Sequence, residues 1–588
     1  MPDSPTRRWL DDVLDAYMRD RPVNATFVGV HDYDHRLPEL TDEGVGDVAA
    51  AMEGHLARAV RLDGERGTPA PGPDDAPLRV EAVDRTLAEG FLRISLWEHA
   101  SGHHHRGNPA WATGEAVFGV LSLFLSDFAP LEERAEAAAQ RLEATPAFLA
   151  HARRWLKAGP GSHPRWTARA LDECDGALAF LGEGLDLLGH ELRETGGPSA
   201  DARARALRRA GDGAARAFEE HRTWLEVDHL RHTRDDVDCG PEILDLHVRE
   251  AHHLPESPRE IAAYARDEMD RVRGELQELT TTLGATSVHD ILNRLRRRHP
   301  TPDGYLDRYR TIWEACRKIA ADRELVTWHD DPIRYRPRPR WARGAAPHLY
   351  FLFYRSPAAF GRPPVHEYLV EPLPEGPGGT EADPEEVEAF LEAHHDYVIR
   401  SNHVIHHGGI GHHVQNGHAF RGPSRIGRIA AVDCAARIAM HCGGTMAEGW
   451  ACYATELMAE HGALDPLEVF AERAGRVRMC CRAIVDVELH SGRMSLDDAA
   501  AFYVREAGMP ERAAWSEAVK NSLFPGGALM YLMGTDGIRA LRRDQEAIQG
   551  NAFSLGAFHD GLLAHGSVPV TLAGALMRDG SPAADVRL

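Results

Sequence analysis

Apolar positions recur every three or four residues along most of the chain, with charged positions between them. That spacing is the period of a helix with one buried face. It is clearest in residues 131–144, 201–227, 258–283 and 384–403. Ser257 followed by Pro258 is typical of a helix start, because serine caps and proline suits the first helical position. The pattern predicts a mostly α fold.

Strand signal is confined to two short segments rich in aromatic and apolar residues, 348–354 and 367–370. A proline-rich stretch lies between them, so we predict one hairpin. The expected architecture is a large helical fold with one small β-sheet or hairpin. Residues 1–390 would form an N-terminal helical region that contains the hairpin near 348–370. Residues 391–588 would form a second helical region, and both would belong to one structural unit.

Composition and charge narrow the function classes. The 588 residues carry a formal net charge of −23, which argues against a nucleic-acid partner, because phosphate binding needs clustered positive charge. The N-terminal stretch lacks the apolar region of a signal peptide, and no run approaches the ~18 apolar residues of a membrane span. We therefore expect a cytoplasmic protein with no membrane partner and a small-molecule or peptide substrate. The sequence carries no indication of the oligomeric state.

Histidines are concentrated in residues 401–420, whose sequence is SNHVIHHGGIGHHVQNGHAF. The segment contains His403, His406, His407, His412, His413 and His418. Neutral imidazole is the commonest nitrogen ligand for zinc and related metals. The segment therefore predicts a site for one divalent metal. A second histidine run, GHHHRGN at residues 102–108, is more typical of an exposed turn.

Spacing alone leaves the choice of histidine ligands open. On a regular helix His403 and His407 share a face, with the spacing of the two histidines in the zinc motif His-Glu-x-x-His. His406 and His412 would point to different sides of such a helix. Three glycines lie between these two histidines, however, and glycine permits the backbone distortion that would bring the imidazoles together.

A catalytic metal site also favours an anionic oxygen ligand. The best candidate is Glu448, at the start of a helix that we predict to continue through Glu460. The alternative interpretation is an acid in the first turn that the helix dipole stabilises.

These residues resemble a known family, the bacterial domain of unknown function 885, which is grouped with gluzincin-type zinc peptidases. The family signature His-Glu-Ala-Tyr-Pro-Gly-His-His-Leu-Gln is similar to residues 406–415 here, and its Glu-Gly-Trp-Ala-x-Tyr element is similar to residues 448–453. Weaker similarities at residues 25–34, 486–490, 525–531 and 558–569 extend the resemblance over nearly the whole chain.

The resemblance implies a metallopeptidase-like fold with one divalent metal, zinc first and iron as the alternative. The implied metal ligands are His406, His412 and Glu448. His413 is the alternative to His412, and His403 is the alternative that helical spacing suggests. Tyr531 stands where the family has a tyrosine that could hydrogen-bond a transition-state oxyanion, although a buried aromatic would fit equally well. Further residues that could orient the ligands through hydrogen bonds are Asp486, His490 and His559.

The chain departs from the family at the general base, where His407 replaces glutamate. Imidazole can also accept a proton, since its ordinary pKa of about 6.5 lies near working pH. The first hypothesis is a zinc-dependent hydrolase that acts on an amide or related bond of a small substrate, with His407 as base. Two histidines and a carboxylate also describe a non-heme iron enzyme. The third hypothesis is a non-catalytic homologue that binds a metal or ligand.

Overall fold

Most of the described chain is helical, and many helices begin at a capping side chain or a proline. The structure, a computed structural model, describes residues 4–65, 76–195, 197, 199–349, 357–361, 365–376, 380–432 and 437–578. At Ser257 the hydroxyl accepts the backbone N–H of Glu260, the Glu260 carboxylate accepts that of Ser257, and Pro258 takes the first helical position. Asp465 and Ser495 start two later helices with the same reciprocal hydrogen bonds, and proline follows Asp465 but not Ser495. The prediction of a mostly α fold is confirmed.

The helices of the first part of the chain are α1 Pro5–Asp20, α2 Pro22–Val28, α3 Asp42–Glu65, α4 Ala76–Ala100, α5 Pro109–Leu121, α6 Leu131–Ala158, α7 Pro164–Ala179, α8 Leu185–Thr195 and α9 Ala200–Val227. The middle part contributes α10 Pro241–Leu246, α11 Pro258–Thr282, α12 Val288–Arg296, α13 Tyr305–Asp322, α14 Arg340–Arg343, α15 Pro384–Ala393 and α16 Asp396–Val398. The last part contributes α17 His412–Ala419, α18 Arg425–Ile429, α19 Arg437–Cys442, α20 Gly444–Glu460, α21 Pro466–His490, α22 Leu496–Ala507, α23 Glu511–Leu523, α24 Met530–Gln549, α25 Leu555–Leu563 and α26 Val570–Met577.

Between these helices lie short segments of other helical types. The π-helical segments are Phe180–Gly184, His247–Ala251 and Ile399–Gly408, and the 3₁₀ segments are His229–Arg231, Ala346–His348 and Gly550–Ala552. Of the predicted helices, 131–144 lies within α6, while 201–227 and 258–283 match α9 and α11 closely. The predicted helix 384–403 is broken after Ala393, because the chain turns at His394 before the π-helical segment begins.

The small sheet consists of β1 (Ile333–Pro337) and β2 (His366–Val370), which pair in parallel with Ile333 opposite His366. The predicted strand at 367–370 is therefore confirmed, and its partner among the described residues, β1, was not predicted as a strand. The hairpin stays a prediction. Parallel strands cannot be joined by a tight turn, so β2 pairs with a segment far upstream. His348 ends a 3₁₀ turn, and residues 350–354 of the other predicted strand lie outside the described part.

Three groups of buried apolar side chains form the core. The first includes Trp9, Tyr309, Ile405 and Trp450 and therefore draws on both sides of residue 390. The second is built mainly from α5 to α9, and the third mainly from α11 and α21 to α23. The division at residue 390 stays a prediction. Within the described ranges, no helix is both long enough and apolar enough to cross a bilayer.

Candidate metal centre

The histidine segment folds into a π-helix, a sharp turn and a short α-helix. The π-helix Ile399–Gly408 carries His406 and His407, and His412 opens α17 directly after the turn. Gly411 makes this turn possible, because a Cβ there would collide with the backbone oxygen of His406. The Gly411 N–H donates to the carbonyl of Ile405 at 2.8 Å. As a result the rings of His406 and His412 lie 4.9 Å apart between centroids, although six positions separate them.

Helix α20 brings a carboxylate to these two imidazoles. The Glu448 Oε2 atom lies 3.5 Å from His406 Nε2 and 3.7 Å from His412 Nε2. Trp450, two residues further along the same helix, donates its indole N–H to the carbonyls of Ile410 and Gly411 at 2.9 and 3.2 Å. The helix that carries the carboxylate is thus bonded to the turn that positions the imidazoles.

The distances among these three side chains suit a shared metal ion. Two N or O ligands on one tetrahedral zinc, at bond lengths near 2.0–2.2 Å, lie roughly 3.3 Å apart. The separations of 3.5 and 3.7 Å are close to that value. The side chains of His406, Glu448 and His412 are 17%, 11% and 1% exposed, so the site is partly open on the His406 side. The donor set therefore fits a divalent metal.

His407 also reaches this cluster. One ring nitrogen from each of His406, His407 and His412 lies within 4.8 Å of the others. His407 Nδ1 donates to the carbonyl of Asn402 at 2.7 Å across the π-turn, which leaves Nε2 with its lone pair. A hydrogen bond from the second ring nitrogen to a carbonyl is the usual orientation of a metal-binding histidine. We call His406, His407, His412 and Glu448 the His–Glu cluster.

The electrostatics of the His–Glu cluster favour an anionic Glu448 and a neutral His407. Burial alone would raise the pKa of Glu448, but hydrogen bonds and charges from His406 and His412 lower that pKa well below its ordinary value. Burial lowers the pKa of His407 well below its ordinary value, and the neighbouring imidazoles lower it further. These are the protonation states in which carboxylate and imidazole bind metals.

The two alternative histidine ligands lie elsewhere. His403 Nδ1 hydrogen-bonds to the hydroxyl of Tyr368 at 2.7 Å, and its ring packs against Tyr309. The regular helical spacing that paired His403 with His407 fails because the segment is π-helical. His413 Nε2 donates to the carbonyl of Asp331 at 2.8 Å on the other side of α17.

Tyr531 lies in the first turn of α24, close enough to Glu448 for the charge of that carboxylate to affect the pKa of the tyrosine. A close crossing of α20 and α24 permits this, since a Cβ at Gly449 would lie 2.5 Å from the carbonyl carbon of Gly534. Burial and the charge of Glu448 raise the pKa of Tyr531, so its hydroxyl keeps its proton.

Two cations beside Tyr531 were missed by the sequence reasoning. The Arg482 guanidinium lies 4.3 Å from the centre of the Tyr531 ring, and the Lys520 ammonium lies 6.0 Å from it. Arg482 also forms two hydrogen bonds to Glu517, at 2.7 and 2.9 Å. The scarcity of lysine was the one sequence signal for Lys520, because it is one of only three lysines in the chain.

Asp486 fixes the turn that leads into α24. Its carboxylate accepts the backbone N–H groups of Gly526, Ala528 and Leu529 at 2.8 to 3.0 Å. Burial raises the pKa of Asp486 to about 7, against the opposing effect of these three donors. Asp486 therefore positions the backbone before Tyr531 and forms no hydrogen bond to the His–Glu cluster.

His490 and His559 also form hydrogen bonds that join segments around the site. His490 Nε2 donates to the carbonyl of Asn521 at 3.0 Å. His559 Nδ1 donates to the carbonyl of Leu325 at 2.6 Å, and its Nε2 hydrogen-bonds to the hydroxyl of Tyr453 at 2.9 Å. Both side chains are fully buried and bridge separate helices.

The fold and this site define a large helical protein with a cluster of imidazoles and one carboxylate suited to a metal. Residues 22–577 match the sequence profile of a family described as "Bacterial protein of unknown function (DUF885)". The chain belongs to that family. A search of curated proteins finds no significant match.

Two solved structures share the fold. One, from Shewanella oneidensis, is described as "a putative lipoprotein of unknown function"; it is 21% identical, with a TM-score of 0.73, and the match covers 98% of this chain and 100% of that one. The other, described as "the putative lipoprotein from Colwellia psychrerythraea", is 16% identical, with a TM-score of 0.75 and 98% coverage of both chains. The prediction of a cytoplasmic location is contradicted by these descriptions, since lipoproteins are anchored to membranes, and we withdraw it.

Proposed function

We propose that this protein is a metal-dependent hydrolase, with zinc as the metal, that cleaves an amide or related bond of a small substrate or peptide. The observation that carries the proposal is the convergence of His406, His412 and Glu448 from three separate elements. The similarity of residues 406–415 and 448–453 to the gluzincin-type signature supports the same reaction class.

The roles of the protein's own groups follow from their positions. When bound, zinc would polarise the scissile carbonyl and acidify water. One ring nitrogen of His407 lies within 4.8 Å of those of His406 and His412, and His407 would accept the proton of the attacking water. The Tyr531 hydroxyl would donate a hydrogen bond to the oxyanion that develops in the transition state. Lys520 and Arg482 lie beside the Tyr531 ring and would stabilise that negative charge further.

A second candidate function, a non-heme iron enzyme, is favoured by one specific observation. His407 donates through Nδ1 to Asn402 and so presents its Nε2 lone pair in the manner of a ligand. Three imidazoles and one carboxylate would then surround the metal, and a ligand set rich in nitrogen suits iron. In this alternative His407 binds the metal and no hydrolytic base is present.

Metal analysis and a Glu448→Gln variant test the proposal. We expect zinc in the freshly purified protein, loss of amide or ester hydrolysis on chelation, and recovery when zinc is added back. Glu448→Gln should lower turnover by at least about a hundredfold, because it removes the anionic ligand. Glu460→Gln is the matched control, since Glu460 lies at the exposed end of the same helix.

Several outcomes separate the candidates. Full activity in the Glu448→Gln variant would refute a metal role for this site. Iron as the sole metal, with substrate-dependent oxygen consumption, would support the second candidate. Stoichiometric metal with no turnover across a panel of amides and esters would indicate a non-catalytic binding protein.

A His407→Glu variant then tests the identity of the base. Increased hydrolysis of peptides in this variant would show that His407 occupies the base position of a peptidase-like site. Loss of bound metal without any gain of activity would show instead that His407 is a ligand.

A further inference from the structure

The histidine run after α4 is buried, contrary to the expectation of an exposed turn. His104 and His105 are only 7% and 3% exposed. The turn that carries them is held by backbone hydrogen bonds from Gly107 and Asn108 to the carbonyl of His104, at 3.2 and 2.9 Å. The C-terminal end of this turn is held by Ser162, whose hydroxyl donates a hydrogen bond to the carbonyl of Gly107 at 2.7 Å.

Three imidazoles meet at this turn. One ring nitrogen each from His99, His104 and His105 lies within 4.8 Å of the other two. The Nδ1 atoms of His104 and His105 are 2.9 Å apart. Two nitrogens bound to one zinc lie roughly 3.3 Å apart, so a small movement of either ring would accommodate an ion between them.

His99 is oriented to present a lone pair. Its Nε2 donates to the backbone carbonyl of Val45 at 2.9 Å. A carbonyl can only accept, so the neutral ring of His99 keeps an unprotonated Nδ1. A hydrogen bond of this kind on the second nitrogen is what fixes the tautomer and the direction of metal-binding histidines.

The other two rings leave buried nitrogens without hydrogen bonds. Among the described residues, neither His104 Nε2 nor His105 Nε2 has a hydrogen-bond partner. If the two Nδ1 atoms share one proton, one of these Nε2 atoms is a bare lone pair and the other an N–H. An ion bound by the two Nδ1 atoms would replace the proton that they share, and each ring would then carry its proton on Nε2.

The three histidines His99, His104 and His105 line one side of a cleft between α1, α3, α4 and α5. The empty space of the cleft, including its open mouth, is about 790 Å³. Its apolar lining includes Tyr17, Phe91 and Trp111, and the Trp111 ring packs 4.4 Å from that of His104.

The ionisable groups in the wall of the cleft favour a cation. Asp20, Glu39 and Glu115 line it together with one cation, Arg21. Glu98, whose charge also acts on His104, adds a further negative group nearby.

We propose that His99, His104 and His105 form a second metal site, which takes one ion of a transition metal that prefers nitrogen ligands. Three neutral imidazoles with an open fourth position are a recognised zinc arrangement. Burial, then the neighbouring imidazole, lowers the pKa of His104 well below its ordinary value, and burial with the charges of His99 and Arg106 lowers that of His105 to about 3. Both rings are therefore neutral at working pH and are competent to bind. The site shares no residue with the His–Glu cluster.

Cobalt(II) titration of the metal-free full chain tests the proposal, with stoichiometry from equilibrium dialysis and ligation from the visible spectrum. We expect two ions per intact chain and one per chain in a Glu448→Gln variant. His99→Ala, at a half-buried position that tolerates change better than the buried pair, should weaken the second site at least tenfold. His55→Ala is the control, because His55 lines the same cleft outside the three-histidine cluster.

The two metal sites can fail independently in this experiment. One ion per intact chain that is lost in Glu448→Gln and kept in His99→Ala would overturn the second site. One ion per intact chain that is lost in His99→Ala and kept in Glu448→Gln would overturn the first site and leave the second standing. Equal cobalt binding by His99→Ala and His55→Ala would also overturn the proposal. Two ions per intact chain would support both sites even if a variant is poorly folded, and no bound ion would overturn both.

Discussion

Arg476 connects the helices that carry the candidate site. This side chain of α21 is 1% exposed. Its guanidinium pairs with Glu268 of α11 at 2.5 Å, Glu456 of α20 at 3.3 Å and Asp536 of α24 at 2.6 Å. Helices α20 and α24 also carry Glu448 and Tyr531, so Arg476 helps to hold the proposed metal ligand and the proposed oxyanion donor together.

We expect Arg476→Met to destabilise the protein strongly. The substitution keeps most of the side-chain volume but removes the buried cation that the three carboxylates share. Glu268 then keeps its ion pair with the half-exposed Arg271, and Glu456 and Asp536 keep theirs with Arg539. Removing one partner of a buried ion pair typically costs 3–5 kcal/mol. With an unfolding entropy of about 2.1 cal/mol/K for each residue and 588 residues, that loss lowers the Tm by about 2–4 °C.

Arg271 provides a matched control. It forms two hydrogen bonds to the same carboxylate, Glu268, at 2.6 and 2.7 Å, yet its side chain is 48% exposed. Water and salt screen the charge of an exposed arginine and weaken its ion pair, so Arg271→Met should cost at most about 1 kcal/mol of unfolding free energy.

Urea unfolding followed by far-UV circular dichroism measures both variants, because the protein is mostly helical. Equal losses of unfolding free energy in Arg271→Met and Arg476→Met would refute the reasoning, since it attributes the difference to burial alone. A small loss in Arg476→Met would show that water or the remaining partners Arg271 and Arg539 stabilise the three carboxylates once Arg476 is removed.

Gly534→Ala should cost about 1–3 kcal/mol of unfolding free energy, because the new Cβ would collide with the backbone oxygen of Thr445. Gly475→Ala, in open space on α21, should instead gain about 0.5–1 kcal/mol, and a stabilising Gly534→Ala would contradict the close helix crossing. Asp486 has its pKa raised from 3.8 to about 7 by burial, so the folded protein holds a proton that the unfolded chain releases. The unfolding free energy should therefore fall by up to about 4 kcal/mol as pH rises from about 4 to 7. Asp486→Asn should flatten this part of the stability profile, and an unchanged profile would show that the carboxyl does not titrate there.

Local sequence determined most of the helices. Capping and apolar spacing act over one or two turns, so Ser257 and the apolar positions that follow it predicted α11 nearly to the residue. The same physics explains the agreement at α9. The chemistry of the site was also visible locally, because imidazoles and a carboxylate of the required types stood in recognisable segments.

Tertiary structure decided which histidines meet. Regular helical geometry paired His403 with His407, whereas the observed backbone is π-helical and reverses at Gly411. The indole of Trp450 bonds to that turn from α20. Because this contact joins residues about forty positions apart, a window of one helix could not reveal it.

The remaining features depend on partners distant in sequence. The strand at 366–370 pairs with residues 333–337, a segment that the sequence pattern did not predict as a strand, since strand pairing is not encoded within a strand. Lys520 and Arg482 flank Tyr531 only because α21, α23 and α24 pack together. The sequence by itself determined the helices and the donor types near residues 403–418 and 448. Only tertiary packing decided that His104 and His105 are buried, because burial depends on what the rest of the chain places over a turn.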